Sequence, residues 1–130
     1  MARADVIRID KELKDFTEQD IRDLAINLGG RFATDTPKDT GWAASSWEAV
    51  IGYIPTGVGE ATGDPALAQA RQDASIAALA KWTLEQGIIV WSNRTPYIGY
   101  LNEGHSQKAP AKFIEQGIAA EIKYIEETEA

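Results

Sequence analysis

His105, the one histidine of this 130-residue chain, stands beside Ser106 in a glycine-flanked stretch, and a hydroxyl next to an imidazole is the pairing nucleophilic catalysis would use. Neighbours along a chain rarely face one another, however, and no G-x-S-x-G turn is present to project a serine. Glu103 and Asp39 offer a general acid and base, but nothing in the sequence sets their separation, and 20 acidic residues make chance pairing easy. Their expected work is hydrogen bonding to turn amides. A metal centre finds no H-E-x-x-H, no calcium loop of alternating acids and no cysteine. Gly57, Gly59 and Gly63 lack the G-K-[ST] ending of a phosphate loop. The expectation is a non-enzymatic protein with no catalytic residue, metal or cofactor.

The four tryptophans, Trp42, Trp47, Trp82 and Trp91, could form a stacking platform for bases or sugars, yet anchoring of a core or an interface suits them better. Trp47 and Trp91 fall in strand-like runs and are expected inside. Trp42, just past a turn, is expected as an exposed contact for a partner chain. A formal net charge of -7 opposes binding to a phosphate backbone, which needs a basic face. Lys108, Lys112 and Arg94 read as solvated surface charge.

The elements that would position these residues follow from pattern. Hydrophobic residues make up 44% and charged residues 25%, the composition of one ordinary globular domain with a modest core. The N-terminus lacks the pattern of a cleaved signal peptide, and no uncharged apolar stretch is long enough to span a bilayer. With no cysteine, the composition fits a reducing cytosol and no membrane partner is expected.

Residues 1–16 read as an N-terminal arm, in which Val6-Ile7-Arg8-Ile9 alternates like an edge strand. Thr17 and Asp20 form a capping pattern, and Ile21, Leu24, Ala25, Leu28 and Phe32 recur at helical spacing over 17–34. Pro37 ends that helix, and Asp39-Thr40-Gly41 carries the chemistry of a tight turn. Residues 47–54 read as a strand, 55–64 as a mobile loop, 65–85 as one helix or two, and Ile88–Trp91 as a strand buried on both faces. Pro96–Leu101 is a connector, helical or extended, closed by Gly104. Pro110 suits the first turn of a last helix with Phe113, Ile114, Ile118, Ile122 and Ile125 in one stripe. The predicted fold class is α+β: a small antiparallel sheet, the first and last helices packed on one face, and a helical insertion between the strands. Residues 17–125 form its core and 126–130 a frayed acidic tail.

Two segments stand out. The first is Thr36-Pro37-Lys38-Asp39-Thr40-Gly41 running to Ser46-Trp47; the second is Asn93-Arg94-Thr95-Pro96-Tyr97 running through Leu101, Glu103-Gly104 and Ser106 to Ala109-Pro110. In order and spacing they resemble the paired signatures of the head-to-tail joining, or tail-completion, proteins of long-tailed double-stranded DNA bacteriophages. The likeness covers roughly residues 17–122, with 55–87 similar only in general character. Lys38, Trp42, Ser46, Asn102 and Lys108 depart from the residues common in that family and are expected at surface or interface positions.

The resemblance implies a structural virion protein of the neck, assembled in the host cytoplasm into a ring, most simply a hexamer. Its implied partners are its own copies, the tail tube or tail terminator protein, and the head connector or portal-side protein, with genomic DNA passing through the lumen without specific binding. Thr36, Pro37, Asp39, Thr40, Gly41, Glu103, Gly104 and Pro110 would then be turn and scaffold residues, and Trp42, Tyr97, Tyr100 and Lys108 interface residues. The alternative is a small cytosolic module that captures a host protein through Trp42, Tyr97 and Tyr100.

Overall fold

The computed structural model describes residues 7–36, 42–57, 64–96, 98–103 and 112–128. Their order is α1 (Glu18–Asp35), β1 (Trp47–Ile51), α2 (Pro65–Ala80), β2 (Ile89–Asn93), a short α3 (Ile98–Asn102) and α4 (Phe113–Thr128). This is the expected α+β fold, with one two-stranded antiparallel sheet and three long helices. Among the described residues no helix is long and apolar enough to cross a membrane.

α1 begins where the sequence says it must. Thr17 Oγ1 accepts from the Asp20 amide at 3.1 Å, and the Asp20 carboxylate accepts from the Thr17 amide at 3.0 Å, so two otherwise orphaned donors are satisfied. Leu24, Ala25, Leu28, Gly29 and Phe32 then bury one face of the helix. Leu13 and Phe16, just ahead of the cap, pack with Ile9 on the same core, so the arm is docked from Ile9 onward. α4 contributes Ile125, with Ile114, Ile118 and Ile122 beside it, and its stripe lies against α1. Each such side chain removed from water contributes about 1.5–3 kcal/mol. α4 continues through Thr128, where an acidic fray was expected, and its last residues are exposed.

The strands pair with Trp47 opposite Asn93, Ala49 opposite Trp91 and Ile51 opposite Ile89, so these six residues share one face. That face meets α1: the rings of Phe32 and Trp47 stack at 4.5 Å, and Trp91 meets Phe32 edge-on at 6.5 Å. The expectation that β2 is buried on both faces is not met. All five of its residues, on both faces, are half-buried, and Ile88 just before it is 56% exposed.

α2 lies against β1 and α1. It stops at Ala80, short of the expected 85, because Trp82 turns inward: its indole is 3% exposed and donates to the Gly87 carbonyl at 3.0 Å. Arg22 of α1 holds the Trp82 carbonyl at 2.8 Å while pairing with Glu18 at 2.9 Å. Tertiary contact here overrides an alanine-rich helical propensity. Gly87 then takes φ 92°, a conformation suited to glycine, as the chain enters β2.

Candidate functional site

Both signatures begin with residues that tie elements together. Thr36 closes α1: its amide and its hydroxyl both donate to the Phe32 carbonyl, at 3.1 and 2.6 Å. Its φ of -69° and ψ of 129° are the extended geometry a residue before proline prefers. The Thr36 hydroxyl oxygen, with the residue only 1% exposed, also accepts from the Trp47 indole at 2.8 Å. The first and last residues of the first signature are therefore hydrogen-bonded to each other. Between them, the Trp42 carbonyl accepts from the hydroxyls of Ser45 at 3.1 Å and Ser46 at 2.6 Å, making a tight turn that leads into β1.

The second signature reaches back to that turn. Asn93 Nδ2 donates to the Ala43 carbonyl at 2.8 Å, and Asn93 Oδ1 accepts from the Thr95 amide at 3.1 Å. Ala43, Leu101 and Phe113 then form a second small core that joins the turn, α3 and the start of α4. On the opposite sheet face Arg94 pairs with Glu48 at 3.2 Å and donates to the Thr56 carbonyl at 3.3 Å, crossing from β2 to the chain beyond β1.

Asn102 completes the clamp. It is 8% exposed; its Oδ1 accepts from the Ile114 amide at 2.9 Å, and its Nδ2 donates to Glu115 Oε1 at 2.6 Å. An early backbone donor of α4 is thus satisfied by a side chain on another helix, where a local cap would ordinarily serve. The Asn102 carbonyl also accepts from the Lys112 amide. Asn102→Ala is expected to lower unfolding free energy by about 2 kcal/mol, since it orphans a buried helix-terminal donor. Urea unfolding checks this, with the midpoint shifting at unchanged slope.

At Ser46 and Asn102 these contacts correct the expectation of a surface or interface position; Lys38 and Lys108 lie outside the described residues. Ser46 is 9% exposed and Asn102 is 8% exposed, and each makes hydrogen bonds inside the clamp. Trp42, expected as an exposed contact, is half-buried. Trp47 is buried as expected, whereas Trp91 is half-buried. Glu103 is exposed, and its amide donates to the Gly99 carbonyl at 3.0 Å. Pro37, Asp39, Thr40, Gly41, Tyr97, Gly104, Lys108 and Pro110 lie outside the described residues, as do His105, Ser106, the side chain of Tyr100 and most of the 55–64 loop.

The packing roles of two glycines escaped the sequence reading. A Cβ on Gly29 of α1 would sit 2.4 Å from Trp91 Cζ2, and one on Gly117 of α4 would sit 2.6 Å from Arg31 Cδ. Gly29 lets the indole lie on α1 and donate to the Ala25 carbonyl at 2.7 Å. Gly117 lets Arg31 cross to Glu121 at 3.1 Å while it pairs with Asp35 at 3.6 Å. Among the described residues no His, Asp or Glu cluster is placed to hold a metal ion. The arrangement fixes elements to one another and presents surfaces. No protein-family model matches the chain, and searches of curated proteins and of solved structures likewise return no match.

Proposed function

We propose that this protein is a tail-completion component of a long-tailed bacteriophage, assembling as a ring, most simply a hexamer, between the tail tube and the head connector. The observation that carries this reading is the joint occurrence of the two signatures in order and spacing. The geometry supports treating them as one unit, because Thr36 binds Trp47 and Asn93 binds the Ala43 turn. A scaffold that holds its turns this firmly can present fixed patches to two neighbours, as a closed ring demands. The acidic balance suits a lumen through which DNA passes without sticking.

Electron microscopy of a lysate from a phage lacking this gene tests the proposal. The expected result is DNA-filled heads beside free tails, joined into infectious particles when the purified protein is added. Intact particles in that lysate would remove the joining role and leave the host-protein module as the reading to pursue.

A further inference from the structure

The two edges of the sheet are treated differently. The Gly52 amide donates to the Ile88 carbonyl at 2.8 Å, which sets the parity of the ladder: Val50 with Val90 and Glu48 with Ser92 are the hydrogen-bonded pairs, and Ala49, Ile51, Ile89 and Trp91 direct their backbone groups away from the partner strand. On the β1 side this edge is covered. The outward amide of Ala49 donates to Ser75 Oγ of α2 at 2.9 Å, and Arg71 of α2 takes the Ser45 carbonyl at 2.8 Å. On the β2 side, the outward amides and carbonyls of Ile89 and Trp91 meet no partner among the described residues. Exposed Ile88 and Leu84, at 56% and 61%, precede that edge.

The chain also carries a strand-like segment with no strand to join. Ile7–Ile9 keeps the apolar–charged alternation of a strand, but the backbone groups of Ile7 and Arg8 are unpaired among the described residues. Ile9 anchors the segment on the core, Ile7 is 47% exposed, and the Arg8 side chain is 76% exposed. An open edge is a template for pairing, and natural chains cover such edges unless they are used.

We propose that the arm around Ile7–Ile9 of one subunit adds as a strand to the outward edge of β2 on a second copy of the chain. Donor and acceptor are different places on the molecule, so the contact is head to tail, the type that closes rings. A two-fold pairing of β2 with β2 would occupy the edge but leave every arm unpaired. The inference deepens the ring reading and rests on it for closure alone.

The absence of cysteine makes the test clean. Arg8→Cys is mixed under oxidising conditions with Ser92→Cys, and separately with Val90→Cys, because these β2 positions bring side chains closest to an added antiparallel strand. The expected result is a disulfide-linked heterodimer in a mixture and none from Arg8→Cys alone. Self-linking of the β2 variants without links to the arm would overturn the proposal in favour of two-fold pairing, and no link in either mixture would overturn it outright. Ile7→Pro, at an exposed position whose amide faces β2 in this register, is expected to keep the melting temperature and lower self-association more than about tenfold, since proline cannot donate to a ladder. Electron microscopy separates the two readings. Rings that form equally well with Ile7→Pro leave the ring standing and remove the arm pairing; linked open chains do the reverse.

Discussion

Gly29→Ala is expected to destabilise this protein by about 3 kcal/mol, while Gly30→Ala, one residue along the same helix, is expected to stabilise it by about 0.5–1 kcal/mol. The difference lies in what each added methyl would meet. At Gly29 it meets the benzene ring of Trp91 at 2.4 and 2.5 Å, with the Gln72 side-chain nitrogen at 3.0 Å on another side; at Gly30 it meets nothing within 4 Å. A rigid indole cannot swing clear as a flexible chain end would, because Trp91 is held by its 2.7 Å bond to the Ala25 carbonyl and by Phe32 at its edge. Relief therefore requires α1 and β2 to separate, losing the hydrogen bond and part of the aromatic contact. Guanidinium unfolding followed by tryptophan fluorescence reads both variants. Equal effects of the two, in either direction, would contradict this account.

Thr36→Val is expected to cost about 2–3 kcal/mol although it preserves shape and size. The hydroxyl it removes is the acceptor for the buried Trp47 indole at 2.8 Å and a donor to the Phe32 carbonyl at 2.6 Å. The carbonyl keeps the Thr36 amide at 3.1 Å, so the main loss is the stranded indole N–H. Thr36→Ser keeps the hydroxyl and is expected to retain most of the stability. Parallel denaturation of the pair isolates the hydrogen bond from the methyl group, and a small loss in Thr36→Val beside a large one in Thr36→Ser would assign the effect to packing.

The parts of this fold legible in the sequence are those specified by nearby residues. The Thr17–Asp20 cap and the stripe from Leu24 to Phe32 require only helical spacing, and the structure has both. The strand expected at Ile88–Trp91 was legible as a strand, though it starts one residue later and ends two later, and its half-exposure was not, since an apolar run carries no mark of how many faces will be covered. Gly29 and Gly30 look alike in sequence; only the arrival of Trp91, from a strand far along the chain, distinguishes them. Asn102 was likewise opaque, because the donor it satisfies, Ile114, lies 12 residues further along the chain. Of the clamp, the strand entry at Trp47 was readable, whereas the bonds that make the two signatures one unit were not. Those bonds span distances at which sequence periodicity is silent.

The pairing of α1 with α4 has a consequence for synthesis. The Arg31–Glu121 contact joins residues 90 apart, and the face of Leu24, Leu28 and Phe32 is completed by Ile125. A chain growing at roughly 5–20 residues per second exposes that face for several seconds before its partner is made. Even the two strands cannot meet as a local hairpin, because α2 must be threaded between them first. α1, α2 and the two strands can already touch one another in a partial chain, but a ribosome-bound fragment lacking residues 113–128 leaves the α1 face open and is expected to stay protease-sensitive there until α4 is made.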